Sequence, residues 1–327
     1  MTIDPTPSRD AAVPVPPIIA LLGPTASGKT AVSIELARRL PGGGECLLAD
    51  SMQVYRGMSI GTAQPTAEER AEAPHHLCGF ADPRGAEFTV RDWLDEANRA
   101  IESIRGRGAH PIVVGGTNLY IRSMLEGVFD GPGRDDAIRR DLEAYDDEGL
   151  HQRLRKIDPP SADRIHRNDR RRMIRALEVH AITGRPLSDH KQQWTDAPRS
   201  RPDVRLVVLD RPVDQLNKRI NARVKAMLDS GFLDEVDRLR TEGGLGPQAR
   251  EAVGYRELLD HLEGGCTLEA AVERIKIRTR RYGKQQRTWL RRFAAIPGTI
   301  RLDPTDRTAS EVADAVVRTL IPAIEPS

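Results

Sequence analysis

Residues Gly23, Pro24, Thr25, Ala26, Ser27, Gly28, Lys29 and Thr30 fit the eight-residue template G-x-x-x-x-G-K-[ST]. In such a loop, backbone N–H groups and the positive end of the following helix hold a di- or triphosphate. Lys29 would reach the outer phosphate, and the Thr30 hydroxyl would ligate Mg²⁺. A carboxylate, Asp50, and the segment Gly115-Gly116-Thr117-Asn118 each follow a short apolar run further along. Two cationic tracts complete the set. Arg167, Arg170, Arg171, Arg172 and Arg175 cluster in mid-chain, and Lys276, Arg280, Lys284, Arg287 and Arg291 recur at spacings of three and four. Hardly any acids interrupt Ile275 to Phe293, so ion pairs along one helix do not account for that stripe. Together these residues offer polyphosphate binding, a carboxylate beside it and a surface suited to a phosphate backbone.

Such residues act together only if the fold brings them together. The loop follows the apolar run Ile18–Leu22 and precedes a helical pattern, Ala31–Leu40. Further runs, Leu47–Ala49, Ile112–Val114 and Leu206–Leu209, end in polar segments headed by Asp50, Gly115 and Asp210. A fifth, Thr299–Leu302, precedes a last helix around Ala309–Leu320. Helical patterns at Val90–Arg105 and Asp214–Leu228 lie between them. Alternation of this kind predicts an α/β fold with a parallel sheet, whose ligands gather at the carboxyl ends of the strands. Asp50, Thr117 and Asp210 are therefore expected on the edge that carries the phosphate loop.

The stretch from Asp130 to Arg201 breaks the alternation. It is rich in Arg and Asp, helical in pieces (Arg134–Tyr145, His151–Ile157, Asp169–Thr183), and reads as a helical subdomain over the active-site edge. Residues 1–17 read as a disordered tail, and 18–129 with 202–322 as the core. Near the end, Val272, Ile275, Thr279, Tyr282, Gln286, Trp289 and Phe293 predict the packed face of one long helix whose other face is the basic stripe.

Composition sets limits on partners. The chain has 327 residues and a net charge of only +2 although 30% of residues are charged, so a basic surface must come from local asymmetry. Three scattered cysteines form no disulfide or zinc pattern, and the adjacent His75 and His76 suit hydrogen bonding better than metal. No apolar stretch is long enough to span a bilayer, and a cytoplasmic monomer without membrane contact is expected.

The quoted motifs, with DSMQVYRGMSIGTAQP from Asp50, GGTNLY from Gly115, NDRRRMIRALEV from Asn168, AVGYRE from Ala252 and KQQRTWLRRF from Lys284, resemble tRNA dimethylallyltransferases from about Ile18 to Phe293. The resemblance implies a P-loop NTPase-like parallel sheet with flanking helices and an inserted all-helical subdomain. It implies transfer of a dimethylallyl group from its diphosphate to N6 of the adenosine 3′-adjacent to the anticodon, with pyrophosphate leaving and Mg²⁺ as cofactor. It further implies Asp50 as general base, with Lys29, Thr30, Thr117 and Arg139 as its catalytic companions. Diphosphate would be held by Gly23 through Thr30 and by Arg223, favoured over Arg219, with Thr30 on the metal. The partner would be the tRNA anticodon stem-loop. Its contacts would be Asp50, Ser51, Met52, Gln53, Thr117, Arg139, Arg171, Arg172, Arg175, Arg250, Gly254, Tyr255, Lys284, Arg287, Trp289 and Arg291. The chain departs from the family at Arg170-Arg171, where Pro-Gln is common, and at Gln64, where Lys is. Arg171 cannot accept a hydrogen bond as an amide can. No zinc-finger extension follows Phe293, as in the bacterial form.

Three rivals share parts of this pattern. An ATP-dependent small-molecule kinase would use the loop with Asp210 on Mg²⁺, but has no use for the basic tracts. An RNA-binding protein without catalysis leaves Asp50 without chemistry. A transferase acting on free AMP would share the core chemistry but would not need the basic tracts.

Overall fold

The computed structural model describes residues 15–128, 131–190 and 201–324, so most of the expected tail lies outside the described residues. The end of that tail is tied down, the Pro16 carbonyl accepting a hydrogen bond of 2.9 Å from Arg105 Nε. The strands are β1 (Ile18–Leu22), β2 (Gly44–Ala49), β3 (His75–His76), β4 (His110–Gly115), β5 (Val204–Leu209) and β6 (Ile300–Leu302). They form one parallel sheet in the order β3-β2-β4-β1-β5-β6. All of β1 is buried. A strand covered on both faces has no solvent side, which is why Ile18–Leu22 is continuously apolar rather than alternating.

Alternate strand residues, among them Ile19, Leu21, Cys46, Leu48, Ile112 and Val114, join one core with the helices Lys29–Arg39 and Ala309–Ile324. The helices Val90–Gly106 and Leu268–Ala294 pack on β2, β4 and β5 outside that core. Trp93 is fully buried there, its indole N–H donating to the Leu48 carbonyl at 2.9 Å and its ring stacked on Tyr120 at 4.7 Å. The unexpected strand is β3. Its two histidines carry no apolar pattern, and His76 Nε2 sits 2.7 Å from Glu45 Oε2 while His75 Nδ1 bonds the Ala73 carbonyl.

The chain divides into two compact units, residues 1–123 with 200–327, and residues 124–199. The second starts inside the helix Asn118–Glu126, before the Asp130 expected from composition. It holds the helices Asp136–Glu143, Asp147–Ile157, Pro159–Arg164, Arg170–Thr183 and Leu187–His190, with no strand among the described residues. Its richness in Asp has a local cause. Asp135, Asp146, Asp158 and Asp169 each cap a helix, accepting backbone N–H groups of the first turn. Leu150, Leu154, Met173, Leu177 and Val179 give the unit a core of its own.

Candidate active site

Between β1 and the helix Lys29–Arg39 the chain turns through Ala26 at φ 63° and Gly28 at φ 99°, the second a conformation glycine adopts without strain. Gly28 caps the helix with no side-chain hydrogen bond, so its first N–H groups are left for a ligand. The Ser27 hydroxyl is buried without a hydrogen-bond partner, and a Cβ on Gly23 would stand 2.6 Å from it. An uncapped helix start beside an orphaned hydroxyl is the preparation an anion satisfies. Lys29 Nζ donates to the carbonyls of Gly23 at 2.9 Å and Pro24 at 2.8 Å. Burial pushes its pKa down to about 8, neighbouring Arg223 pushes the same way, and Asp50 opposes both.

Asp50 follows β2 at the sheet edge that carries the phosphate loop. Its Oδ1 accepts the N–H groups of Met52 at 2.9 Å and Gln53 at 3.4 Å, which bends the Asp50–Gln53 segment into a turn. Ser51 N donates to Thr117 Oγ1 at 3.1 Å and Thr117 N to the Ala49 carbonyl at 3.1 Å, so the ends of β2 and β4 are joined. A cavity of about 280 Å³ opens beside them. Its lining mixes polar residues, Thr25, Asp50, Ser51, Arg223, Thr279 and Tyr282, with apolar ones, Met52, Ile220, Val224, Met227, Phe232 and Ile275. The helices Val213–Asp229 and Leu268–Ala294 each supply both kinds. Burial disfavours the charged form of Arg223 and the Asp50 carboxylate favours it; burial and Asp50 both push the Tyr282 hydroxyl pKa up. Arg219 instead donates Nε to the Ala26 carbonyl at 2.8 Å, bracing the loop and leaving Arg223 to face the cavity.

Other expected residues have different surroundings. Tyr255, expected on RNA, is fully buried, with its hydroxyl on Glu235 at 2.6 Å; Gly254 beside it is buried too and turns the chain at φ 100°. The motif there builds core, and the tyrosine presents no surface. Arg250 pairs with Glu263 at 2.9 Å. Gln53 donates its amide to the carbonyls of Thr62 at 3.0 Å and Ala63 at 2.7 Å. Asp210 follows β5 on the expected edge but lies 3.8 Å from Arg301. Two residues escaped sequence reasoning, Glu235 and the bonding role of Gln286. Buried Gln286 accepts the Thr25 N–H at 2.8 Å and donates to the Gly116 carbonyl at 3.0 Å, linking the long helix to the phosphate loop. A Cβ on Gly116 would fall 2.1 Å from the Gln286 amide, so this contact needs glycine.

The basic stripe divides in two. Glu273, just before Ile275, pairs with Lys276 and Arg280, both at 3.3 Å, correcting the expectation that acids play no part. Lys284 and Arg291 are exposed and Arg287 half-buried, and none of the three has an ion-pair partner among the described residues. Trp289 lies under Arg122, whose guanidinium is 5.8 Å from the ring centre. Arginines of the helical unit are engaged within it. Arg139 and Arg175 share the fully buried carboxylate of Glu178, at 2.8 and 2.6 Å, while Arg170 pairs with Asp147 and Arg172 with Asp169.

No three His, Cys, Asp or Glu side chains gather into a metal cluster among the described residues. Mg²⁺ needs no such cage, taking one or two protein oxygens with phosphates and water. Thr30 at the helix start fits that requirement, with the phosphates and water as the remaining ligands.

Residues 53–293 match the family described as IPP transferase, and residues 16–74 the one described as isopentenyl transferase. The tRNA dimethylallyltransferase of Geobacter metallireducens is 45% identical over 85% of this chain and 91% of its own. That of Halorhodospira halophila is 39% identical over 93% and 98%. Among solved structures, the tRNA isopentenylpyrophosphate transferase of Bacillus halodurans is 39% identical over 93% of this chain and 96% of that one, with a TM-score of 0.67. A eukaryotic dimethylallyltransferase acting on tRNA is 30% identical over 94% and 80%, with a TM-score of 0.80. Among the described residues no helix is long and apolar enough to cross a membrane.

Proposed function

The chain belongs to the IPP transferase family, and from that premise we propose that it transfers a dimethylallyl group from dimethylallyl diphosphate to N6 of the adenosine 3′-adjacent to the anticodon of tRNA. It is an enzyme, a prenyltransferase that modifies tRNA. The observation that carries the finer reading is the cavity. Its lining combines apolar side chains with Asp50 and Arg223, and the phosphate loop borders it through Thr25. A ligand with an apolar tail and a diphosphate head suits such a mixed lining.

The reaction displaces pyrophosphate at an allylic carbon. Negative charge grows on the leaving oxygens, where Lys29, Arg223 and the loop N–H groups stabilise it most in the transition state. Thr30 would hold the Mg²⁺, which would supply further positive charge for that departure. The adenine amine is a weak nucleophile because its lone pair is delocalised into the ring. Asp50 takes the N6 proton as the new bond forms. Ser51 and Thr117 fix the turn that presents it. A flipped-out adenosine gives the amine access to the cavity. Lys284, Arg287 and Arg291 hold the phosphates of the anticodon stem-loop.

A small-molecule kinase finds no counterpart among the relatives described, and Asp210, on which it rested, stands beside Arg301. Incubation with Mg²⁺, labelled dimethylallyl diphosphate and unmodified tRNA, without ATP, tests the reading. Label in the RNA at the adenosine next to the anticodon is the expected result, and its absence overturns it.

A further inference from the structure

Glu235, near the start of the helix Phe232–Thr241, is 7% exposed and has no cationic partner among the described residues. Such a carboxylate is costly to bury unless donors surround it. They do. Its Oε2 accepts the N–H groups of Ser59 at 2.9 Å and Ile60 at 2.8 Å; its Oε1 accepts the Gly61 N–H at 3.1 Å and the Tyr255 hydroxyl at 2.6 Å. The three amides open the short helical turn Ser59–Thr62, which has no side-chain cap of its own.

That turn is a wall of the cavity, through Gly61 and Thr62. Gly61 lies against Phe232, another wall residue: a Cβ there would stand 2.1 Å from the ring. Phe232 precedes Glu235 by one helical turn. A single helix thus supplies both the ring and the anchor that holds the backbone against it. We infer that Glu235 is a positioning residue that holds Gly61 against Phe232 and so limits the length of the allylic chain the cavity accepts. This rests on the transferase reading.

Hydrogen-bond chemistry separates the variants. In Glu235→Gln the amide NH₂ needs an acceptor, which the Tyr255 hydroxyl can become and a backbone N–H cannot. The NH₂ therefore takes the place of Oε1, and Gly61 alone loses its partner. Tyr255→Phe leaves the three backbone bonds of Glu235 in place and removes only the hydroxyl that the Gly61 and Thr62 N–H groups also approach. Phe232→Leu loosens the same contact from the ring side.

The experiment measures kcat/KM for dimethylallyl and for geranyl diphosphate, with unmodified tRNA as acceptor, in wild type and these variants. The ratio for the two donors does not depend on the fraction of enzyme that is folded, so lost stability alone leaves it unchanged. Wild type should prefer the shorter donor. Glu235→Gln should reduce that preference by about tenfold, within the range one pocket contact provides, Phe232→Leu should reduce it too, and Tyr255→Phe should reduce it less. An unchanged ratio in Glu235→Gln, or an equal fall in Tyr255→Phe, overturns the inference. If Glu235→Gln does not fold, Phe232→Leu decides, an unchanged ratio again overturning it. A wild type that transfers neither donor overturns the transferase reading and this inference together; transfer with unaltered ratios overturns only the inference.

Discussion

At the scale of single residues, Asp50 in the cavity lining and Lys29 in the phosphate loop beside it carry opposite charges and separable duties. Asp50→Asn keeps the turn acceptor for Met52 and Gln53 but removes the base. Transfer should slow by about 10²–10⁴ while diphosphate and tRNA affinities hold. Single-turnover rates within a few-fold of wild type would remove Asp50 from the chemistry. Lys29 makes a pH prediction. Its folded pKa of about 8 lies below the 10.5 of the unfolded chain. Between those values the unfolded state holds more protons, so the residue's contribution to stability grows as pH rises from 8 to 10.5. A bound diphosphate restores the positive charge, so binding takes up a proton above pH 8. Affinity for an unreactive diphosphate analogue should therefore fall with rising pH, by up to about tenfold per pH unit. Calorimetry in buffers of different ionisation enthalpy reads that proton, and Lys29→Met should abolish it.

Elements show what a stripe of charge means. Lys276 and Arg280 share Glu273, whereas Arg287 and Arg291 have no acid to leave among the described residues. Arg287→Ala and Arg291→Ala should each weaken stem-loop binding and reduce the salt slope by about one, with diphosphate affinity unaltered. Arg280→Ala should do less to both quantities, and binding curves across a salt series that match wild type for all three would make the stripe a solvated face. The same contrast explains what was legible in sequence. The phosphate loop was, because its strand, turn and helix are contiguous and each has a local pattern. Asp50 and Thr117 followed from strands ending on one edge. Glu235 and Gln286 were not, since their partners lie 174 and 261 residues away and no local periodicity records such bonds. Tyr255 was misread because a motif marks what a family keeps, not whether it keeps it for packing or for contact.

At the scale of the whole molecule, two units with separate cores must serve one RNA. The helical unit matches its arginines to its own acids, and most of these pairs are solvent-exposed at one or both ends. Exposed pairs of this kind contribute about 0–1 kcal/mol. Exchanging an aspartate for an RNA phosphate is therefore inexpensive, and bound RNA adds contacts that the free unit lacks. Arg139 and Arg175 differ, because leaving buried Glu178 would strand its charge, so they should keep their places while Arg171 and Arg172 meet RNA. A small core also means that local opening is frequent and exchange measurable. Amides of the helix Arg170–Thr183 should gain protection from hydrogen exchange when tRNA binds and little from a diphosphate analogue. The phosphate-loop amides from Thr25 to Thr30 should show the reverse. Equal protection of the helix by both ligands, or by neither, would leave the helical unit a structural appendage and assign RNA binding to the long basic helix alone.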